Sequence, residues 1–452
     1  MDDPTIVPDA EKPATEKVIN IHLDLRLQNR NAIIYASLIA LTYLAAPVLY
    51  VDLLHTGLFK RLHSSDTIAN LPSTVYLAMA WVPVITAWLF PQARLLKSLM
   101  SFAYGVMAFL GAVVAVVILV QPSREIIIGT LLVHAALLGG ANGITAFLNW
   151  EALHRGVSEK LRGKALGLAF GLGPVFAVVG SLGAQLLLNS KIFNLQLPQW
   201  MTIAYPYNYV MLFGVSVICM ALAAFLVPLY QIPLPKVDNE RESFSIAIFG
   251  GFKAILGNRV LLIACIAYLL VYCGNMVQNN MSIFTKEAVG IEPDHLAGFQ
   301  LALRFSFKIL AGFLLGWLLT RTNPKVPLLV TIGLQMAGVL WVLIMPGYWF
   351  LMAFGLMGAG ELFGVYYLNY PICCSPKSQI RRNIAFLGLI SSLVGLSPLL
   401  YGWISDTWSL RASFWTALAI LAFTTALVAV KLPARPRPRP EDLWAADLTI
   451  DD

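Results

Sequence analysis

Long apolar runs alternate with short polar stretches along most of this chain. A helix needs about 20 mostly apolar residues to cross the hydrocarbon of a membrane, and the runs have about that length. Backbone groups inside a bilayer must bond to one another, so the runs are predicted to be helical. The pattern predicts twelve spans, at 32–54, 73–91, 98–120, 126–150, 164–189, 206–231, 259–285, 296–319, 326–345, 347–371, 383–405 and 411–431.

The composition supports an all-α polytopic membrane protein. Of the 452 residues, 58% are hydrophobic and only 12% are charged, whereas soluble domains have about 25% charged residues. The mean hydropathy is +0.73. The net charge of +7 is spread over short loops between apolar runs, which indicates membrane lipid rather than nucleic acid as the partner. Residues 1–31 are polar and contain no apolar core of a secretory signal peptide.

The distribution of lysine and arginine predicts the orientation. Of the 31 such residues, two lie inside a span and 23 lie on the side that carries both termini. The other six lie on the opposite side: Lys60, Arg61, Arg124, Lys191, Lys286 and Arg411. Because positive loops stay on the cytoplasmic side, both termini are predicted to be cytoplasmic. The compact loops favour a bacterial-type inner membrane or a plasma membrane.

The longest internal connection divides the twelve spans into two sets of six. The predicted organisation is a cytoplasmic tail, a six-helix bundle, a cytoplasmic linker, a second six-helix bundle and a second cytoplasmic tail, at 1–31, 32–231, 232–258, 259–431 and 432–452. An offset of 220 residues aligns Gly140 with Gly360 and Asn149 with Asn369, which suggests a repeat. Two similar halves around a midplane site are a common plan in secondary transporters.

One loop carries a family signature. Gly316, Leu318, Arg321 and Lys325 match G-x-L-x-D-R-x-G-R-R/K in register. This resembles the loop motif of the major facilitator superfamily, although the acidic position is occupied by a threonine, the second glycine by an asparagine, and the first-half copy is degenerate. The resemblance implies a twelve-helix transporter that works by alternating access, with Gly316, Arg321 and Lys325 in a gating loop. It does not supply a substrate.

The eighth span contains a cationic stripe. Gln300, Arg304 and Lys308 are spaced i, i+4, i+8 and therefore share one helix face. A charge at membrane depth costs about 2.5–3.5 kcal/mol on insertion scales, so it usually serves a purpose. We predict that this stripe binds an anionic group of a solute. The alternatives are a structural ion pair with Glu361 or snorkelling of Arg304 toward the surface.

Glu361 lies midway along the tenth span, among glycines that allow close packing. A buried carboxyl group can bind a proton near neutral pH, so Glu361 is predicted to be the ion-coupling residue. Its alternative role is a salt bridge that only holds the bundle together. Asn275 and Asn279 of the seventh span are i, i+4 neighbours and are predicted to bind solute hydroxyls or carboxylates. They could equally bond to adjacent helices.

The first half offers fewer polar candidates. Tyr43 and Asn142 lie near mid-membrane and are predicted to line the solute site. Asp52 is interpreted more simply as an interfacial acid. His134 is either a proton-sensitive group or a hydrogen-bonded structural histidine, and the latter is favoured.

These features predict a secondary transporter for a small polar or anionic solute, coupled to protons. One alternative is an exporter of amphipathic compounds. The eleven Trp and thirteen Met suit adaptable apolar contacts, and Gly173-Pro174 resembles the core of the span-five motif associated with antiporters in the same family. Another is a membrane sensor on a transporter scaffold. The sequence has no nucleotide-binding loop, paired catalytic carboxylates, nucleophile elbow or metal-ligand spacing. We therefore expect no enzyme activity, no cofactor and no bound metal.

Overall fold

A computed structural model describes residues 24–192, 195–196, 198–233, 255–367, 370, 374, 389 and 391–436. It is an all-helical bundle, as predicted, with one short antiparallel hairpin formed by Lys191–Ile192 and Leu195–Gln196. Most of the predicted tails, most of the predicted linker and the first part of the eleventh span lie outside the described residues. Asn369 lies there too.

Six spans form the first half. Their helices are Leu25–Leu44, Ala46–Leu49 and Leu53–Arg61 in span 1; Asp66–Ala78, Met79–Trp81 and Val82–Leu89 in span 2; Leu96–Val120 in span 3; Arg124–Gly156 in span 4; Glu159–Asn189 in span 5; and Tyr207–Leu226 in span 6.

The second half repeats this arrangement over its described residues. Its helices are Arg259–Asn275, Gln278–Ile283 and Thr285–Val289 in span 7; Ala297–Arg321 in span 8; Lys325–Ile344 in span 9; Met352–Gly360 and Phe363–Tyr367 in span 10; Leu396–Thr407 in span 11; and Leu410–Lys431 in span 12.

Ten of these segments are long and apolar enough to cross a membrane, among the residues that the structure describes. Span 1 is divided into three helices, and span 11 is described only from its later part. Span 1 also extends beyond its predicted range of 32–54, because its helices begin at Leu25 and end at Arg61. Span 2 likewise begins at Asp66 rather than 73, span 4 ends at Gly156 rather than 150, and span 5 begins at Glu159 rather than 164. The remaining described bounds lie close to the predicted ones, since length and hydropathy are what a bilayer selects.

Among the residues that the structure describes, spans 1, 7 and 10 are interrupted near the middle of the bundle. Span 1 breaks at Tyr50–Asp52, where the Asp52 side chain then accepts a bond from the Leu53 nitrogen and caps the next helix. Span 7 breaks after Asn275, and span 10 breaks after Gly360. Interrupted helices at mid-membrane expose polar backbone and are tolerated where they line a cavity or are buried in protein.

The two halves meet at one end of the bundle. We call the end where spans 1 and 2, 7 and 8, and 11 and 12 join the closed end, and the end with Leu25 and Lys431 the terminus end. Spans 5 and 8 touch near the closed end, where a Cβ at Gly298 would lie 2.5 Å from the Ser181 backbone oxygen. Spans 2 and 11 touch there as well, because a Cβ at Gly402 would lie 2.6 Å from the Thr67 Cα.

Toward the terminus end, spans 5 and 8 separate. Gly316 lies 18 residues, or five helical turns, beyond Gly298 on the same face of span 8. A Cβ at Gly316 would meet no atom within 4 Å, and the same holds at Gly312 and at Gly167 of span 5. The described parts of these two spans are therefore packed together at the closed end and apart at the terminus end.

Candidate functional site

Arg304 lies at the centre of the bundle and pairs with a carboxylate from each half of the chain. Its Nη1 donates to Asp52 Oδ2 of span 1. Its Nε lies 2.5 Å from Glu361 Oε1 of span 10. The residue is only 4% exposed, and a cation so far from water needs paired, hydrogen-bonded anions. The predicted alternative of an ion pair with Glu361 is present in this conformation, whereas Arg304 does not snorkel to the surface.

Lys308 completes a charge-balanced cluster. Its Nζ donates to Glu361 Oε2, and Glu361 Oε1 also accepts a bond of 2.8 Å from Gln278 Nε2 of span 7. The cluster thus contains two cations and two carboxylates from spans 1, 8 and 10. The side chains of Lys308, Glu361 and Asp52 are between 11% and 15% exposed, so the cluster is largely but not completely desolvated.

Small residues and aromatic rings position this cluster. Gly358 lets span 10 approach span 8 so closely that a Cβ there would lie 2.2 Å from the Arg304 backbone oxygen. Phe305 packs edge-on against Tyr43 and Tyr50 of span 1, and the Arg304 guanidinium lies 5.6 Å from the centre of the Tyr50 ring. The break in span 1 thus places an acid and two tyrosines opposite the cations of span 8.

The first half contains a neutral counterpart of this arrangement. Gly139 of span 4 packs against Tyr76 of span 2, where a Cβ would lie 2.2 Å from the Tyr76 backbone oxygen. Asn142, three residues after Gly139, donates a bond of 2.6 Å to the Tyr76 hydroxyl. In the second half, Glu361 follows Gly358 by three residues and pairs with Arg304 in the same way.

Packing therefore aligns spans 4 and 10 through Gly139 and Gly358. The sequence offset of 220 had instead paired Gly140 with Gly360. In the structure those two glycines face different neighbours, Val82 of span 2 and Gln335 of span 9.

The other predicted solute contacts in the second half have different surroundings. Gln300 is fully buried, and its amide bonds to Ser282 and Thr285 of span 7 at 2.9 Å each. Asn279 donates a bond of 2.9 Å to Ser73 of span 2. Asn275 is 1% exposed, and its Nδ2 has no hydrogen-bond partner.

The break in span 7 separates residues that a continuous helix would place together. Asn275 ends one helix, and Gln278 begins the next. Gln278 therefore faces Glu361, while Asn279 faces the first half of the chain.

The predicted gating loop lies at the terminus end. Lys325 Nζ donates a bond of 2.6 Å to the Ala429 oxygen, which joins spans 9 and 12. Arg321 ends span 8 and is exposed, and nothing crowds Gly316. In this conformation the described part of the loop is tied to its own half.

Two further polar groups join the halves at the closed end. Arg61 of span 1 donates a bond of 2.8 Å to Asp294, which precedes span 8, and Tyr209 of span 6 donates to the same carboxylate at 3.2 Å. Asp406 of span 11 accepts bonds from the nitrogens of Asp66 and Thr67 at 2.8 Å each, and so caps the first helix of span 2.

Sequence reasoning did not single out these closed-end residues. Asp406 and Arg61 lie at span ends, where charged residues are ordinary. Their partners are more than 200 positions away along the chain.

Comparisons with known proteins agree with this architecture. Residues 31–375 match the family model of the Major Facilitator Superfamily. A comparison with curated protein sequences gives no match.

Solved structures share the fold. The nucleoside transporter NupG is 12% identical, with a TM-score of 0.59 over 90% of this chain and 98% of its own. The D-xylose-proton symporter is 13% identical, with a TM-score of 0.63 over 89% and 98%. A bacterial homologue of the human lysosomal transporter Spinster, in an inward-facing and unoccupied conformation, is 14% identical, with a TM-score of 0.59 over 90% and 97%. At these identities the likeness shows the fold alone.

Proposed function

The chain belongs to the Major Facilitator Superfamily, and on that premise we propose that it carries a small anionic solute across the membrane by alternating access. The observation that carries the proposal is the pairing of Arg304 with Asp52 of the first half and Glu361 of the second. In both pairs the Arg304 guanidinium binds carboxylate oxygens. A solute carboxylate or phosphate offers oxygen acceptors that a guanidinium binds in the same way. Arg304 and Lys308 then act as the anion-binding cations.

Competition between the solute and Asp52 links binding to movement. Asp52 is the cluster residue that belongs to the first half, so its bond to Arg304 holds spans 1 and 8 together. A solute anion that binds Arg304 in place of Asp52 releases the connection between spans 1 and 8. It therefore weakens the contact of the two halves at the closed end. Differential contact in two conformations is what a ligand needs to shift their populations. With the predicted orientation, the terminus end faces the cytoplasm, and the described conformation admits solute from that side.

Charge balance indicates what must accompany the solute. The cluster is neutral when empty, so a bound anion adds one uncompensated negative charge in a poorly solvated place. A co-transported proton compensates this charge. Glu361 remains the acceptor that the sequence predicts, but protonating it removes the counter-charge that Arg304 and Lys308 share. It can take the proton only after one of these cations has found another anion.

The other residues and the two bundles that the sequence predicts have roles in this proposal. Asn275, with its unpaired amide, and Asn142 and Tyr43 of the first half supply further solute contacts. Arg321 and Lys325 form contacts between the halves when the terminus end closes, and the two bundles move as the predicted bodies 32–231 and 259–431.

A second candidate is a carrier of uncharged hydroxylated solutes. It is favoured by the mutual pairing of all four charges, which leaves Tyr76, Asn142 and Asn275 as polar contacts. Two of the structural neighbours are a nucleoside transporter and a D-xylose-proton symporter, which also favours this candidate. In this case Arg304 would organise the bundle and would not touch the solute.

A ligand-stabilisation screen separates the two candidates. The purified protein is heated with succinate, benzoate or glucose 6-phosphate as anions, and with D-xylose or uridine as neutral solutes. A ligand at 100 times its Kd stabilises the native state by about 2.7 kcal/mol. We expect an anion to stabilise the wild type and not Arg304→Gln.

The matched control is Arg61→Gln. This variant also breaks a bond between an arginine of one half and an aspartate of the other, but at the closed end rather than in the cluster. It should retain the stabilisation by the anion. Equal stabilisation of wild type and Arg304→Gln by D-xylose or uridine, with none by the anions, supports the second candidate. Binding without flux in reconstituted vesicles indicates a sensor instead of a transporter.

A further inference from the structure

Two buried histidines stack on each other between spans 1 and 4. His55 and His134 are 1% and 2% exposed. Their ring centres are 5.3 Å apart with an interplanar angle of 12°, and His55 Nε2 lies 3.3 Å from His134 Nδ1. Phe213 of span 6 packs edge-on against both rings.

The neutral histidine pair has one ring nitrogen outside its hydrogen bond that carries no proton. A hydrogen bond between two neutral imidazoles uses one N–H and one lone pair. The other ring nitrogen of His55, Nδ1, is buried and has no partner. An unpartnered nitrogen in an apolar setting is costly. When His55 Nε2 donates the bond to His134, His55 Nδ1 holds a lone pair that can take an additional proton. His55 also lies on the first turn of the helix that Asp52 caps, so it adjoins the solute-binding cluster.

The nearby buried carboxylates on the surrounding elements are already paired, and Glu125 is exposed at the surface. The charged and titratable groups on spans 1, 2, 4, 6 and 8 near the pair are Asp52, Lys60, Arg61, Asp66, Tyr76, Arg124, Glu125, Tyr209, Asp294, His295 and Arg304. Asp52 pairs with Arg304, Asp66 with Lys60, and Asp294 with both Arg61 and Tyr209. The described part of span 7 that packs here, Asn275–Thr285, contains only neutral side chains.

We propose that the His55–His134 pair is the proton-binding site that couples to opening of the closed end, an inference that rests on the transport cycle proposed above. In the closed conformation the pair is shut off from water, and an imidazolium beside a second imidazole and a phenylalanine is strongly disfavoured. Opening the closed end admits water and lets the pair take one proton. The added charge offsets the negative charge of a bound solute one helical turn away, so solute and proton favour the same conformation.

The sign of the pH effect follows from this linkage. The open conformation binds one proton more than the closed conformation, so lowering the pH favours opening. For one linked proton, the ratio of open to closed molecules changes by about tenfold per pH unit across the titration range. The histidine pair then replaces Glu361 as the acceptor of the coupling proton, and Glu361 and Asp52 keep their negative charges throughout the cycle.

Distances between spin labels at the closed end test the proposal. Labels at Ser123→Cys and Tyr348→Cys, both exposed and in opposite halves, are measured by double electron–electron resonance in a background with the five native cysteines replaced. Between pH 8 and pH 5 the wild type should gain a longer distance at the expense of the shorter one. His55→Gln and His134→Gln should lose this pH dependence.

Two controls keep the result interpretable. His295→Gln removes a half-buried histidine at the same end, and the distance should depend on pH in this variant as it does in the wild type. His55→Phe keeps a stacked aromatic pair but removes the ring that carries the unpartnered nitrogen, and it serves if glutamine prevents folding. Retention of the pH dependence in the histidine-pair variants overturns the proposal, and so does its absence in the wild type. If the anion selected by the stabilisation screen lengthens the distance while pH does not, the transport proposal stands without the histidine site. If neither the anion nor pH changes the distance, both the transport proposal and the histidine site are wrong.

Discussion

The carboxylate of Asp52 and the guanidinium of Arg304 form an ion pair that crosses from the first half of the chain to the second. Nine residues along span 1, Arg61 forms the reverse pair with Asp294 at the beginning of span 8. Spans 1 and 8 are therefore connected by two arginine–aspartate pairs of opposite polarity. The inner pair lies in the cluster where Lys308 and Glu361 also meet, whereas the outer pair lies at the closed end. This difference in position allows the two pairs to be separated experimentally.

Asp52→Asn should weaken closure and strengthen anion binding together. Breaking one partner of a buried ion pair costs about 3–5 kcal/mol of folded-state stability, and here part of that loss falls on the closed conformation alone. The freed Arg304 no longer has to exchange Asp52 for a solute anion. We expect a lower melting temperature, a larger open population by spin-label distances, and a smaller Kd for the stabilising anion.

Asp294→Asn is the matched change in the outer pair. It should also increase the open population. It leaves the cluster intact, however, so Asp52 still competes with the solute anion for Arg304. An equal gain in anion affinity in both variants would contradict the competition between Asp52 and the solute, because the gain would then come from opening alone.

Glu361→Gln should lower the free energy of unfolding more when it is made alone than when it is combined with Lys308→Met. The single change leaves Arg304 and Lys308 with Asp52 as their remaining cluster carboxylate, so a buried cation loses its partner. The double change restores a neutral pair of Arg304 and Asp52. We expect a favourable coupling energy of about 0.5–3 kcal/mol in a double-mutant cycle of unfolding free energies. Strictly additive effects would show that the Lys308–Glu361 contact does not exist in the folded protein.

Hydropathy predicts the spans because the bilayer imposes one length and one composition on every crossing helix. The same reasoning finds Arg304, Lys308 and Glu361, since a charge inside an apolar run is rare enough to stand out. It does not find Asp52 as their partner. The acid lies at a helix break that hydropathy does not reveal, and 252 residues separate it from Arg304.

The amide side chains show where a periodic pattern fails. Gln300 shares a face with Arg304 on an ideal helix, yet its amide oxygen accepts a bond from Ser282 and its amide nitrogen donates one to Thr285. Asn279 turns toward span 2 because span 7 is interrupted between it and Asn275. Spacing predicts a shared face only while the helix continues, and only packing decides which neighbour that face meets.

Gly298→Ala should hold the closed end open. An added Cβ would lie 2.5 Å from backbone atoms of Ser181 and Gln185, and backbone cannot move aside as a flexible side chain can. Spans 5 and 8 would have to separate, so the longer spin-label distance should dominate at every pH. Gly312→Ala adds the same methyl group to the same face of span 8, where nothing lies within 4 Å. It should behave as the wild type does, and an equal effect of both changes would refute the steric explanation.

Asp406→Asn should increase the open population less than Gly298→Ala does. The Asp406 carboxylate accepts two backbone N–H bonds at the beginning of span 2, where the helix dipole favours a negative charge. Asparagine keeps only one acceptor oxygen and no charge, and losing one such hydrogen bond costs about 1 kcal/mol, which is about a fivefold change in an equilibrium. Because this cap comes from the other half of the chain, the cost applies to the closed conformation and shifts the open-to-closed ratio by that factor. Ser409→Ala removes a cap that span 12 receives from its own half, so it should lower the melting temperature without changing the distance distribution. A shift of that distribution in Ser409→Ala as large as in Asp406→Asn would mean that general destabilisation, and not the contact between halves, controls opening.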